Sequence, residues 1–312
     1  MVDSKHQWKA WLYLAPALVL LAIFTVWPII NTVRLSFLEG YSLQASLNGA
    51  TYQFGFGNFQ KVVEYQGFLT CLKNTVLLCV LTVPLSTILA LLIAVVLNSI
   101  GPLKRLLQTI YFLPYVTNSI AIGMVFATMF NIVGLRADGG APITAGVINN
   151  IIMAFGGEPV NWINFGSSYW ANMFVMVVYI VWNALPFKIL ILLGGLQSVN
   201  KQYYDAAKVD GTPKWRVTTR ITVPLLSPMI AYVVITGFIG GFKEYTSIVG
   251  IFGENMGPTG AKNSLNTMVG YIYQSLSGSH QGRASAAALI LFAIILAVTI
   301  INLYVSKKKV HY

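Results

Sequence analysis

Long apolar runs alternate with short polar ones along the whole chain, and run length decides what each can be. Crossing a bilayer as a helix takes about 20 residues at a rise of about 1.5 Å each. Six runs qualify: residues 11–30, 75–97, 110–130, 169–193, 225–250 and 284–305. The first follows Lys5 and Lys9 as a secretory signal would. It has no small-x-small cleavage site before Pro28, so it is read as a retained span. Between the runs, residues 31–74 carry Tyr41, Tyr52, Phe54, Phe56 and Phe59 among glycines, which predicts an ordered loop with a short helix over 58–65. Residues 131–168 are rich in Gly and Asn, with an apolar stretch at 147–155 too short to cross, and residues 253–283 form a third long loop. The expected fold is an all-α integral membrane protein: a terminal segment 1–10, a transmembrane domain 11–305 and a tail 306–312.

Composition agrees with this reading: 56% of the residues are hydrophobic and only 9% charged, against about 25% charged in an average soluble domain. The net charge of +11 is spread between the spans and not gathered on one domain, which argues for membrane lipid as the partner and against nucleic acid. Its placement gives a topology. With the N-terminus inside, inner segments hold Lys5, Lys9, Lys104, Arg105, Lys201, Lys208, Lys214, Arg216, Arg220, Lys307, Lys308 and Lys309, which is 12 of the 20 Lys and Arg. Outer segments hold Arg34, Lys61, Lys73, Arg136, Lys243, Lys262 and Arg283, which is 7, on longer loops. Both termini are therefore expected to be cytoplasmic.

Candidate chemistry is sparse. Cys71, Cys79, His6, His280 and His311 are scattered, so neither a metal or haem ligand set nor a disulfide framework can be assembled. GENMGPTGAKNS resembles a phosphate loop in glycine count only, because Gly260 is followed by Ala261 and then Lys262. No enzyme site, metal or cofactor is expected on this chain.

One segment breaks the apolar pattern. Residues 203–224, YYDAAKVDGTPKWRVTTRITVP, form a basic island predicted to be two short helices with a sharp turn. Asn200 can cap the first, and Gly211 stands where a left-handed residue would end it. Thr212 and Pro213 are expected to cap and open the second, which Pro224 would terminate. The Ala206-Ala207 pair leaves a low profile beside Tyr204 and Asp205, suited to a groove on another protein. Asp205-Ala206-Ala207, three residues, Gly211, nine residues, then Ile221 and Val223-Pro224 resembles the EAA loop of ABC importer permeases. Asp205 replaces Glu and Val223 replaces Leu, conserving charge and apolar character. The resemblance implies that loop 198–224 is a cytoplasmic coupling helix that docks on an ATP-binding subunit through Tyr204, Asp205, Ala206, Ala207, Asp210, Gly211 and Pro224.

Most of the chain is similar to the carbohydrate-uptake, maltose-permease-like branch of type I importers. The residues that carry this are WLYLAPALVLLAIFTVWPIINTVRLSF, FGFGNF, FLTCLKNT, FLPYV, LGGLQSV, ASAAALILF and the final VHY. The family implies a second homologous permease, two cytoplasmic ATP-binding subunits that hold the ATP and Mg²⁺, and an extracytoplasmic solute-binding protein, all at a bacterial plasma membrane. Glycerol-phosphate permeases share the pattern, so another small polar solute stays open. An ion-coupled secondary carrier would show paired halves and several intramembrane carboxylates, which are not found here. Sugar recognition calls for inward aromatic, amide and hydroxyl groups, with Tyr115, Asn118, Asn131, Trp182, Asn183, Tyr232 and Tyr245 as candidates. Helix packing or an interfacial aromatic belt accounts for each of them as well. Glu244, beside Lys243, is expected to face a cavity if the fifth helix continues through them, and both are interface residues if the span stops at Gly240-Gly241. Lys188 is expected to snorkel toward the cytoplasm.

Overall fold

The computed structural model describes residues 7–100, 109–110, 112–113, 115–133 and 144–309. The basic turn at 101–105, Pro114, Arg136, Lys5, His6, His311 and the final VHY lie outside the described residues. Among those described the protein is helical apart from one antiparallel pair, Ile132–Val133 (β1) and Thr144–Ala145 (β2), in which Ile132 faces Ala145 and Val133 faces Thr144. The chain divides into two compact units, residues 1–68 with 271–292 and residues 69–270 with 293–312.

In the first unit, α1 (Gln7–Leu21), a π-helical turn (Ala22–Val26) and α2 (Trp27–Phe37) make a 30-residue apolar stretch from Trp8 to Phe37 with almost every side chain exposed. Pro28 follows the widened turn, where a missing N–H is tolerated. The following loop holds α3 (Leu43–Leu47) and α4 (Gly57–Val63), the latter close to the expected short helix. Asn58 organises it: its amide nitrogen donates to the Ser36 and Leu38 carbonyls, and its oxygen accepts from Gly40 N–H. Phe37 packs on Phe54, Phe56 and Phe59 at 5.2–5.3 Å.

The second unit is built on two long helices, α5 (Phe68–Ser99) and, further on, the helix Tyr169–Ser198. Between them lie α6 (Ser119–Phe130) and α7 (Val147–Ala154), so the long helix at Tyr169–Ser198 is α8. After it come α9 (Lys201–Val209), α10 (Lys214–Val217), a π-helical turn (Thr218–Thr222), α11 (Val223–Leu225), α12 (Ser227–Gly241) and α13 (Thr246–Phe252). Met173, Met176, Tyr179 and Ile180 of α8 pack with Phe126 and Phe130 of α6 and Ile248 and Ile251 of α13. A second cluster joins Ala90, Ala94 and Leu97 of α5 to Ile189, Leu192, Leu193 and Leu196 of α8, with Leu226 and Val233. Helices α6 and α13 meet backbone to backbone, since a Cβ on Gly123 would stand 2.7 Å from Gly250 Cα. Asn74 ties the segment before residue 268 to α5, donating to the Ser264 and Asn266 carbonyls while accepting from Tyr169 Oη.

Two of the six expected spans are not single helices. The fifth, 225–250, breaks: α12 ends at Gly241 and α13 begins at Thr246. The adjacent glycines Gly240 and Gly241 weaken the helix there, and Glu244 Oε1 accepts from the N–H groups of Tyr245 and Ser247, both at 3.1 Å, which starts a new one. The third, 110–130, is interrupted at Thr117–Asn118, where the Asn118 side chain caps α6 by accepting from Ile120 and Ala121 N–H. Four described helices are long and apolar enough to cross a membrane, and a fifth crossing is supplied if the bent pair Lys214–Leu225 and Ser227–Gly241 counts as one. The stretch expected as a third loop contains α14 (Met268–Ser277), and the last apolar run is the 29-residue α15 (Gln281–Lys309).

Candidate functional site

Two places stand out in the second unit, a polar hairpin and a mainly apolar cavity with a few polar groups in its lining. The hairpin starts at Asn200, whose side chain accepts from Gln202 N–H at 3.0 Å and so caps α9. It turns at Gly211, with φ +63°, where Gly211 N–H reaches the Lys208 carbonyl (3.1 Å) and Thr212 N–H the Ala207 carbonyl (2.9 Å). That bond pair is the Schellman end, and its left-handed residue favours glycine. The N–H of Asp210, the residue before it, reaches the Ala206 carbonyl.

The second limb differs from expectation at both ends. Pro213 is itself the extended cap residue and the helix opens at Lys214. Pro224 does not terminate the limb: the helix runs through it to Leu225, and the 68° bend falls at Leu226. The π-helical turn directly before Pro224 widens the ladder where a proline has no N–H to give. The bend is seated firmly, because a Cβ on Gly195 of α8 would stand 2.8 Å from Met229 and 2.9 Å from Leu226.

The two alanines have opposite surroundings. Ala207 is 5% exposed and packs within the chain, whereas Ala206 is exposed. Tyr204 is half-buried, its hydroxyl 3.4 Å from Thr222 Oγ1 across the hairpin. Asp205 is exposed and pairs with Lys208 at 3.7 Å. Around them Tyr203, Val209 and Trp215 turn apolar surface outward, Val209 being 88% and Trp215 76% exposed. Sequence reasoning missed Val209 and Trp215 as surface anchors. The signal was available, since Tyr203, Ala206, Val209 and Asp210 recur at helical spacing on one face.

The cavity, of about 310 Å³, lies among α5, α8 and α12 and sits at the small end of ligand-sized pockets. Helix α5 contributes Thr82, Val83 and Ser86, and α8 contributes Ile180, Asn183, Ala184, Phe187 and Lys188. Helix α12 contributes Val233, Thr236, Gly237, Gly240 and Gly241, a single stripe at helical spacing, while Tyr115 and Glu244 complete the wall. Tyr115 stacks on Phe187 with ring centroids 5.8 Å apart and planes 18° apart. Of the sequence candidates, the structure brings Tyr115, Asn183 and Glu244 to this lining.

It does not bring the others. Asn118 is the cap of α6. Trp182 packs on Phe126 at 5.2 Å, Tyr245 packs on the α6–α8–α13 core, and Tyr232 is exposed away from the lining. Asn131 accepts from the Asn164 amide. Lys243 is exposed.

Lys188 does not snorkel. It is 5% exposed, and its ammonium donates to Ser86 Oγ (2.7 Å), Thr87 Oγ1 (2.9 Å) and the Val83 carbonyl (3.2 Å). Snorkelling fails because hydroxyls one helix away satisfy the ammonium at depth. Among the described residues no group of three His, Cys, Asp or Glu side chains gathers as a metal site.

Long apolar helices with a polar hairpin on one loop and a cavity among α5, α8 and α12 fit a membrane protein that meets both a protein partner and a small solute. The chain belongs to the family of binding-protein-dependent transport system inner membrane components, whose model matches residues 83–311. It is 31% identical over 299 residues to the lactose transport system permease protein LacF of Rhizobium radiobacter, covering 94% of this chain and 91% of that one. To the arabinooligosaccharides transport system permease protein AraP of Bacillus subtilis it is 30% identical over 298 residues, covering 95% and 88%. Its fold is similar to a chain of a bacterial alginate ABC transporter solved in complex with an alginate pentasaccharide-bound periplasmic protein, with a TM-score of 0.78, 22% identity and coverage of 98% and 96%.

Proposed function

We propose that this chain is one of two permease subunits that together form the pathway of an ATP-driven importer for a sugar or oligosaccharide in a bacterial inner membrane. Permease relatives named for lactose and arabinooligosaccharides, aligned over nearly their whole lengths, support the sugar class. In this reading six crossings are made with both termini cytoplasmic, the third and fifth by broken helices. The hairpin from Asn200 to Leu226 enters a cleft on a cytoplasmic ATP-binding subunit. ATP and Mg²⁺ sit on that partner, and a solute-binding protein delivers the solute from the other face. Closure of the ATP-binding subunits then swings the hairpin, and α8 and α12, which it joins, turn the cavity from one side of the membrane to the other.

The observation that carries this reading is the outward face of Tyr203, Ala206, Val209 and Trp215 on a hairpin whose bend is clamped against Gly195. An exposed apolar face on a charged loop fits a protein partner, and a clamped bend transmits force without slack. The cavity supplies the solute path, with the Tyr115–Phe187 stack for a sugar ring face and Asn183, Thr236 and Glu244 for hydroxyls. Reconstitution with its sibling permease, the ATP-binding subunits and the binding protein tests it: solute-stimulated ATP hydrolysis is expected. Uptake by this chain alone, or labelling of Lys208 or Lys214 from outside intact cells, would overturn it.

A further inference from the structure

Lys188 is the buried cation that the proposed transport cycle does not use. It sits on α8, 10 residues before the helix ends at Ser198, which is about 15 Å of helix. Lys188 is among the residues that line the cavity. All three of its partners, Ser86 Oγ, Thr87 Oγ1 and the Val83 carbonyl, are neutral dipoles, and no carboxylate among the described residues lies within 4.0 Å of it. Glu244 is the carboxylate of the same lining, but its Oε1 is committed to two N–H groups at the start of α13. Hydroxyls and a carbonyl hold an ammonium in place without neutralising it, so its field reaches the cavity. The approach on the α12 side is kept low by Gly237, where a Cβ would stand 3.2 Å from Nζ.

We infer that Lys188 is a specificity-determining residue that makes this cavity prefer a saccharide carrying an acidic group, such as a uronate carboxylate, over its neutral counterpart. The inference rests on the cavity being the solute path and adds the charge class of the solute. An incoming carboxylate meets a cation already fixed in direction by α5, so little ordering remains to be done on binding. Either ligand must displace one of the three acceptors that already take the ammonium's three N–H groups, and only the carboxylate gains charge attraction in exchange.

The test is direct binding to the complete assembly in nanodiscs, without binding protein, using cellobiouronic acid and cellobiose as probes in calorimetry. The wild type is expected to bind the acid about tenfold tighter, the ratio at the low end of the coupling measured for close interfacial charge pairs. K188R keeps the preference, and K188Q, which retains hydrogen-bond donors without charge, brings the two probes within about threefold of each other. Should K188Q fail to assemble, S86A/T87V serves instead: it leaves the cation and removes two anchors, so the acid preference persists. Equal binding of both probes by the wild type, an unchanged ratio in K188Q, or a lost ratio in S86A/T87V overturns the inference. Y115A/N183A separates it from the underlying reading. Loss of both probes in that variant with an unchanged ratio in K188Q removes Lys188 alone, while retention of both, or binding of neither probe by the wild type, removes the cavity as the solute path and the inference with it.

Discussion

The hairpin and the cavity are both polar interruptions of an apolar chain, and they are built in opposite ways. The hairpin is contiguous in sequence, turns its charges and part of its apolar surface outward, and is held by local hydrogen bonds within 27 residues, from Asn200 to Leu226. The cavity is assembled from helices as far apart in sequence as Thr82 and Glu244 and turns its polar groups inward. The fold of a local device tolerates no change in backbone conformation but much change in side chain on its free face. A dispersed one tolerates neither a lost partner nor an added methyl where helices touch.

The sharpest way to break this contrast is Gly211→Val. Nothing lies within 4 Å of a Cβ there, so the damage is backbone strain alone, about 1–3 kcal/mol for a non-glycine residue held left-handed. Uptake is expected to fall about tenfold or more while immunoblots show normal membrane levels. Normal uptake would mean that the turn is not rigid. Next in size is the alanine pair. Ala206→Trp adds bulk to an exposed face and is expected to lower solute-stimulated ATP hydrolysis severalfold without lowering Tm. Ala207→Trp overpacks a buried position at about 1–3 kcal/mol and lowers Tm as well. Identical Tm values for the two would contradict the opposite faces assigned to them.

In the cavity, Glu244→Ala removes the cap of α13, about 1 kcal/mol, together with one polar group of the lining. A severalfold weaker response to solute is expected, with Glu244→Gln restoring most of the stability because its carbonyl oxygen still accepts. Smallest is Trp182→Phe, a change outside the lining costing under about 1.5 kcal/mol, with the solute concentration for half-maximal uptake unchanged. A large shift in that concentration would move the solute path onto the α6–α8 packing surface.

The hairpin was largely legible because each of its signals is local: Asn200 as cap, Gly211 as left-handed stop and the spacing of the alanines are read off neighbouring residues. What failed there was the second limb. Pro224 looked like a terminator, and only the preceding π-helical turn explains why the helix passes through it. In the cavity, side-chain chemistry within the apolar spans placed Asn183 and Glu244 among the candidates. It could not separate them from Trp182 or Tyr245, whose neighbours on other helices make them packing residues. Lys188 was misjudged for the same reason: length and charge permit snorkelling, and the decision lay with Ser86 and Thr87 about 100 residues away.

The chain by itself determined that it is a membrane protein of long helices and that one basic loop turns sharply at a glycine, because run length, charge placement and backbone freedom are properties of contiguous residues. Tertiary structure alone decided that two spans are broken, that Ala206 faces out while Ala207 faces in, and that a lysine lies buried at a cavity. Each of those depends on which groups from distant segments arrive within hydrogen-bonding or van der Waals distance.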